Sequence, residues 1–132
     1  MNFRKSFAFI ILSFVIICIN SCSKENSFNP ENQRCDVIAV TNLQPYLPCS
    51  VKYYANVYGG MKNVSLSYYI DSGKVINVNP SSFPFEEKTY LTIRDTARIT
   101  GTGITNQSGS LIVSFYAWKT GFASFGSDSC VK

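Results

Sequence analysis

The sequence predicts an all-β protein, an antiparallel sandwich of about seven or eight short strands in two sheets. Three observations lead to this class. Apolar and polar residues alternate with a period of two in most segments after Cys35. These segments are rich in β-branched and aromatic residues, and Gly, Pro, Asn and Ser interrupt them at short intervals. No amphipathic helical pattern follows Cys22.

The alternation and the turn residues place the strands in order along the chain. We expect strands over residues 37–40, 51–58, 64–70, 74–78, 88–93, 98–105, 110–118 and 122–125. Prolines mark residues 42–48 and 79–84 as loops, and Gly59-Gly60 ends the second strand. Asp71-Ser72-Gly73 is a turn sequence, so the third and fourth strands are expected to form a hairpin.

The N-terminus has the features of a bacterial lipoprotein signal peptide. Arg4 and Lys5 precede an almost entirely apolar run over residues 7–19. A membrane-spanning helix needs about 20 apolar residues, so this run has the length of a signal sequence rather than of a span. Ile19-Asn20-Ser21-Cys22 resembles a lipobox, in which the cysteine is acylated and becomes the first residue. We therefore expect residues 1–21 to be removed and Cys22 to carry the lipid.

This interpretation divides the chain into three parts. They are the signal peptide (1–21), the lipidated Cys22 with a polar, flexible tether (22–34), and the β-sandwich domain (35–132). Loss of Arg4 and Lys5 lowers the formal net charge from +4 to +2. The start of the mature chain, Ser23-Lys24-Glu25, resembles that of Bacteroidetes lipoproteins. We expect an outer-membrane anchor. The sequence leaves two locations for the anchored domain, the periplasmic face and the cell surface.

The sequence argues against catalysis, a metal or cofactor site, and nucleic-acid binding. There is no histidine among the 132 residues, which removes the commonest general base and metal ligand. Glu86 and Glu87 are adjacent on a predicted strand, so their side chains would point to opposite faces. No Gly-rich phosphate loop is present, and Lys and Arg are scattered rather than clustered. We therefore expect a non-catalytic protein that binds no nucleic acid.

Three cysteines remain in the predicted domain, so at most one intrachain disulfide can form. If strands 37–40 and 51–58 formed a hairpin, Cys35 and Cys49 would lie at its opposite ends, too far apart to be joined. This reasoning favours a Cys49–Cys130 bridge, with Cys35–Cys130 as the alternative.

Aromatic side chains form the candidate binding surface. On the strand faces opposite the apolar residues lie Tyr54, Tyr58, Tyr69, Tyr116 and Trp118. Tyr and Trp combine apolar area with a polar tip and suit the binding of proteins or glycans. The competing interpretation is that aromatic residues simply favour strands. The binding hypothesis requires at least three of the five in one exposed patch.

A candidate modification site lies at Asp95-Thr96-Ala97. This tripeptide resembles the acceptor sequence of Bacteroidetes O-glycosylation, with Thr96 as the modified residue.

The order of features from Val51 to Phe125 resembles the MmpS-like transport accessory family. The pieces that carry the resemblance are Val51-Lys52-Tyr53 before Gly59-Gly60, residues 64–69 before Gly73, Phe83-Pro84-Phe85, residues 89–93, Ile99-Thr100-Gly101 and residues 108–116. The resemblance implies an immunoglobulin-like β-sandwich, and mycobacterial members work beside large exporters of lipids or siderophores. Those members are anchored by an N-terminal helix, whereas this chain is predicted to be lipid-anchored.

These observations together predict a membrane-anchored lipoprotein whose β-sandwich is an accessory or interaction module of a cell-envelope complex. Its partner would be an envelope protein. One alternative is a surface adhesin or glycan-binding module that uses the exposed Tyr and Trp side chains. Another is a small envelope inhibitor protein.

Overall fold

The computed structural model describes residues 33–71, 74–93 and 96–132. The predicted signal peptide (1–21), Cys22 and all but the end of the predicted tether (22–34) lie outside these residues. Eight strands make up the described chain: β1 (Gln33–Asn42), β2 (Cys49–Gly59), β3 (Lys62–Tyr69), β4 (Val75–Val78), β5 (Phe85–Leu91), β6 (Thr96–Thr105), β7 (Gly109–Lys119) and β8 (Phe122–Val131).

The strands form two four-stranded sheets in which every pairing is antiparallel. Sheet A has the order β1-β6-β3-β4, and sheet B has the order β5-β2-β7-β8. The predicted antiparallel β-sandwich of seven or eight strands is therefore confirmed. The β1–β6, β2–β7 and β7–β8 adjacencies correspond to the B–E, C–F and F–G adjacencies of an immunoglobulin domain. Among the described residues, no helix is long and apolar enough to cross a membrane.

Several strands are longer than the local alternation indicates, because their partners extend them. β1 begins at Gln33, ahead of the predicted domain boundary at residue 35, since it pairs with β6 along its whole length. β8 continues to Val131 for the same reason, because it follows β7 as far as Ser110. The hairpin considered for the first two strands does not exist, because β1 and β2 lie in different sheets.

The core lies between the sheets and is formed by the inward-facing residues of the alternating strands. Its largest fully buried side chains include Tyr53 of β2 and Phe115 of β7. Tyr53 packs against Tyr68 with ring centroids 5.3 Å apart, and Tyr68 packs against Phe85 at 5.9 Å. Aromatic pairs at these separations add to the stability gained from burial alone. This core holds the two outer faces of the sandwich in place.

One close approach in the core depends on a glycine. Gly126 of β8 lies directly opposite Phe115 of β7. A Cβ atom at Gly126 would overlap with Cε1 of Phe115, well inside van der Waals contact. The ring of Phe115 therefore occupies the space that any other residue at position 126 would need.

The disulfide corrects the favoured cysteine pairing. Cys35 of β1 is joined to Cys130 of β8, with Cα atoms 5.7 Å apart, whereas Cys49 is a free, buried thiol. β1 and β8 are edge strands of different sheets on the same side of the sandwich, so their cysteines can meet. Cys49 begins the interior strand β2 and faces the core. The alternative pairing, Cys35–Cys130, is the one found in the structure.

Candidate functional site

The outer face of sheet B presents a group of aromatic side chains in two adjacent cross-strand rows. Trp118 of β7 and Tyr90 of β5 both pair with Ser50 of β2, and Tyr116 of β7 pairs with Phe125 of β8. Paired residues of neighbouring strands share a face and stand about 5 Å apart. Tyr90, Tyr116, Trp118 and Phe125 are called the aromatic face below.

The aromatic face is open to solvent. Tyr90, Tyr116 and Phe125 are 55%, 46% and 66% exposed, and Trp118 is partly buried. Single exposed apolar residues are common on protein surfaces, but several together on one sheet surface are typical of an interaction site.

Contacts within the face hold its side chains in position. The rings of Tyr116 and Trp118 are stacked, with centroids 5.4 Å apart and an interplanar angle of 21°. Nζ of Lys88 lies 5.1 Å from the centroid of Trp118, within the range of a cation–π interaction. Lys52, between Lys88 and Tyr116 in the same row, forms a 2.7 Å ion pair with Glu86. The face therefore combines aromatic area with two lysines and one carboxylate.

The five aromatic residues selected from the sequence are divided between the two sheets. Tyr54, Tyr58, Tyr116 and Trp118 lie on the outer face of sheet B, where Tyr58 is exposed near the far end of β2. Tyr69 lies in β3 of sheet A, where the guanidinium of Arg98 stands 5.7 Å from its ring centroid. The structure thus brings four of the five onto one sheet surface and places the fifth on the other sheet. Only Tyr58 and Tyr116 of the five are exposed, and they lie at separate places along sheet B, so the expected patch of three exposed residues from this set is wrong. The exposed group contains Tyr90 and Phe125 beside Tyr116 instead.

Sequence reasoning missed Tyr90 and Phe125, which complete the aromatic face. Tyr90 alternates with the buried Leu91 in β5, and Phe125 alternates with inward-facing residues of β8. The alternation of each strand could have identified both as outward-facing. Only the pairing of β5 with β2 and of β8 with β7 shows that they join Tyr116 and Trp118.

Two titratable core groups are shifted by their surroundings. Burial raises the pKa of the Cys49 thiol, and the positive charge of Lys119 opposes this rise. Burial also raises the pKa of the Tyr68 hydroxyl, and the negative charge of Glu87 raises it further. Both groups are thus held in their neutral forms. Among the described residues, no group of three or more Cys, Asp or Glu side chains could hold a metal ion.

The candidate modification residue, Thr96, is the first residue of β6 and is partly buried. Asp95 lies outside the described residues. The nearby chain is held by Asp71, whose carboxylate accepts hydrogen bonds from the backbone amides of Thr92 (2.5 Å) and Ile93 (2.9 Å). Thr96 therefore lies close to a connection that is tied to the β3–β4 turn.

Comparison with known proteins adds little to this geometry. No protein-family model matches the sequence, and no curated protein matches it. A crystal structure from Francisella tularensis str. tularensis SCHU S4 is similar at 12% sequence identity, with a TM-score of 0.39. The similarity covers 69% of this chain and 67% of that chain.

Proposed function

We propose that this chain is a lipid-anchored, non-catalytic interaction module of a cell-envelope complex, and that a partner protein docks on the aromatic face. The observation that carries the proposal is the placing of Tyr90, Tyr116, Trp118 and Phe125 in two adjacent rows of one sheet. Interface centres are enriched in Tyr, Trp and Phe, which supply most of the binding energy at such sites.

The shape of the surface supports a protein partner. The aromatic side chains stand on the outer surface of a four-stranded sheet, which is broad, and not in a cleft between loops. A glycan chain is better held by a concave groove, whereas a broad patch with a polar margin suits a protein surface. Lys52, between Tyr90 of β5 and Tyr116 of β7, and its ion-pair partner Glu86 add charged groups to this surface.

The envelope location rests on the N-terminal sequence. The pattern around Ile19-Asn20-Ser21-Cys22 supports acylation of Cys22 and an outer-membrane anchor. A disulfide such as Cys35–Cys130 persists in oxidising compartments, which include the periplasm and the cell surface. Replacing Cys22 with alanine should move the protein from the membrane to the soluble fraction. Retention in the membrane fraction would contradict the lipid anchor.

A role beside an exporter is the narrower form of the proposal. It is supported by the ordered features between Val51 and Phe125 that resemble the MmpS-like accessory proteins. In this form the partner is a subunit of an envelope transport complex, and the aromatic face is the docking surface.

Photocrosslinking of the full chain in cells tests the docking surface. A photoreactive residue is placed at Tyr116 or, as the control, at Val40, which lies on the outer face of sheet A and is 53% exposed. We expect an adduct with one envelope protein from position 116 and none from position 40. The double change Tyr116→Ser with Phe125→Ser should abolish co-purification of that protein, and Val40→Ser should not.

Three results would contradict the proposal. Equal adducts from both positions would mean nonspecific collision, and co-purification that survives the double change would remove the aromatic face from the interface. Saturable binding of a polysaccharide that the double change abolishes, without any protein adduct, would instead establish a glycan-binding module. Thermal unfolding of each variant checks that the sandwich is intact.

A further inference from the structure

A cavity of about 140 Å³ lies on the outer face of sheet A, on the side of the molecule opposite the aromatic face. Its lining residues are Arg34, Asn63, Thr102, Gly103 and Ile104. Sites for drug-sized ligands have volumes of about 300–1,000 Å³. This cavity therefore suits a group of only a few heavy atoms.

A β-bulge creates the cavity. β3 pairs with β6 at Lys62–Ile104 and at Ser65–Thr102, and the register shifts between these pairs. Gly103 consequently has no paired residue on β3. Asn63, in the bulged segment, has a φ of 51°, in the left-handed region that asparagine tolerates better than most residues. The bulge separates β3 from β6 at this point and places Asn63 at the rim of the opening.

The polar groups around the cavity are donors without protein partners. Nε of Arg34 donates to Oδ1 of Asp36 at 2.9 Å, and within the described ranges no other guanidinium nitrogen of Arg34 has a partner. The side chains of Asn63 and Thr102 have none in the same part of the chain. The lining residues therefore offer three kinds of donor: a guanidinium, an amide and a hydroxyl.

The charges around the cavity favour an anion. Arg34 of β1 and Lys62 of β3 both pair with Ile104 of β6. The two positive charges therefore stand on either side of Ile104 in one row across sheet A. Asp36 offsets one of these two positive charges, and its bond to Nε leaves the outer edge of the Arg34 guanidinium available. That edge carries two parallel N–H groups, which match two oxygens of a phosphate group.

We propose that this cavity binds a phosphate group, held by the outer edge of the Arg34 guanidinium with Asn63 and Thr102 donating to the remaining oxygens. The group can belong to a lipid headgroup or to a soluble phosphate. Arg34 is at the start of β1, at the end of the sandwich where the described chain begins. A lipid headgroup is therefore within reach if the preceding residues lead to the membrane. The site is independent of the aromatic face and of any partner that docks there.

Nuclear magnetic resonance of the full chain in bilayer discs tests both sources at low ionic strength. Inorganic phosphate is titrated into discs of digalactosyldiacylglycerol, a bilayer-forming lipid that carries no phosphate. In a second arm without added phosphate, phosphatidylglycerol replaces the glycolipid stepwise, up to one half of the lipid. We expect saturable shifts of the amide signals of Arg34, Asn63 and Gly103 in at least one arm. The first arm identifies soluble phosphate and the second identifies the lipid headgroup, and either result supports the site.

Variants separate a built site from general charge attraction. Arg34→Gln should weaken binding at least about 10-fold, as expected for loss of a charge-assisted pair of hydrogen bonds. The matched control, Lys74→Gln, removes one positive charge from the β3–β4 turn and should have no effect. Asn63→Gly keeps the backbone conformation, since glycine tolerates a positive φ, and should also weaken binding.

Two results would overturn the proposal. One is the absence of saturable shifts in both arms from a protein that remains folded. The other is equal weakening by Arg34→Gln and Lys74→Gln, which would show attraction to net charge only. If Arg34→Gln lowers the thermal midpoint, the comparison of Asn63→Gly with the unaltered chain decides the matter.

Discussion

The Asp128 carboxylate of β8 accepts a hydrogen bond from the backbone amide of Ile38 in β1, at 2.8 Å and across 90 positions of sequence. Ile38 lies in β1, an edge strand of sheet A that pairs with β6 on one side only. Unpaired amides of an edge strand are open to pairing with another chain. The carboxylate of Asp128 satisfies one such amide and links the edges of the two sheets.

Asp128→Ala should lower the free energy of unfolding by about 1–2 kcal/mol, because it leaves the Ile38 amide without its charged acceptor. Asp128→Asn keeps an acceptor oxygen and should therefore lower the free energy of unfolding by less. Urea denaturation measures both. The neighbouring Ser127 is exposed, so Ser127→Ala is the control and should change little. Equal stability of the Asp128→Ala and Ser127→Ala variants would show that the bond contributes nothing.

The Cys35–Cys130 disulfide closes a loop with a sequence separation of 95. In the chain-entropy model a loop of this length contributes about 4–5 kcal/mol, so Cys35→Ser should lower the unfolding free energy by an amount of that order. Cys130→Ser should have the same effect. Peptide mapping without reduction should give a Cys35–Cys130 peptide and an unpaired Cys49. A Cys49–Cys130 peptide would contradict this assignment.

Stability should fall as the pH rises above about 8.5, the ordinary pKa of a thiol. Burial raises the pKa of Cys49, so over this range the unfolded chain loses a proton that the folded chain retains. The unfolded state then binds fewer protons, and the unfolding free energy decreases with pH. Tyr68, whose pKa is also raised, should add a second decrease above about pH 10.

Denaturation at a series of pH values from neutral to alkaline measures this slope. In Cys49→Ala the first decrease should disappear while the second remains, even though the variant starts from a lower stability at neutral pH. The same slope in both proteins near pH 9 would show that Cys49 does not titrate differently in the folded and unfolded states.

Gly126→Ala should destabilise the sandwich by about 1–3 kcal/mol, the usual cost of overpacking a core. The added Cβ atom would meet the Phe115 ring, which is almost fully buried. Combining it with Phe115→Leu should cost less than the sum of the two single changes, because the smaller side chain makes room. Thermal unfolding of the two single variants and the double variant gives the coupling free energy between positions 115 and 126. Strict additivity would show that the two positions do not compete for the same space.

Local sequence patterns were sufficient to predict the number of strands and most of their inward-facing residues. Alternation along β2 and β7 marks Val51, Tyr53, Val113 and Phe115 as core, and all four are buried. The side-chain period of a strand depends only on neighbouring residues, so it can be read from one segment at a time.

The order of strands in the sheets could not be obtained in the same way. Cys35 meets Cys130 only because β1 and β8 are edge strands on the same side of the sandwich. Tyr69 alternates as regularly as Tyr116, but β3 belongs to the other sheet. Phe125 joins the aromatic face through the pairing of β8 with β7. Each of these outcomes depends on contacts between segments that are distant in sequence, which local periodicity does not record.

The position of the disulfide has a mechanical consequence. A pulling force applied to the chain ahead of Gln33 reaches Cys35 almost at once, and there it passes through a covalent bond into β8. The hydrogen bonds between β1 and β6 beyond Cys35 then open in sequence only if those between β8 and β7 open with them. The load is divided between one edge strand of each sheet, so tension at the N-terminus acts on both sheets at once.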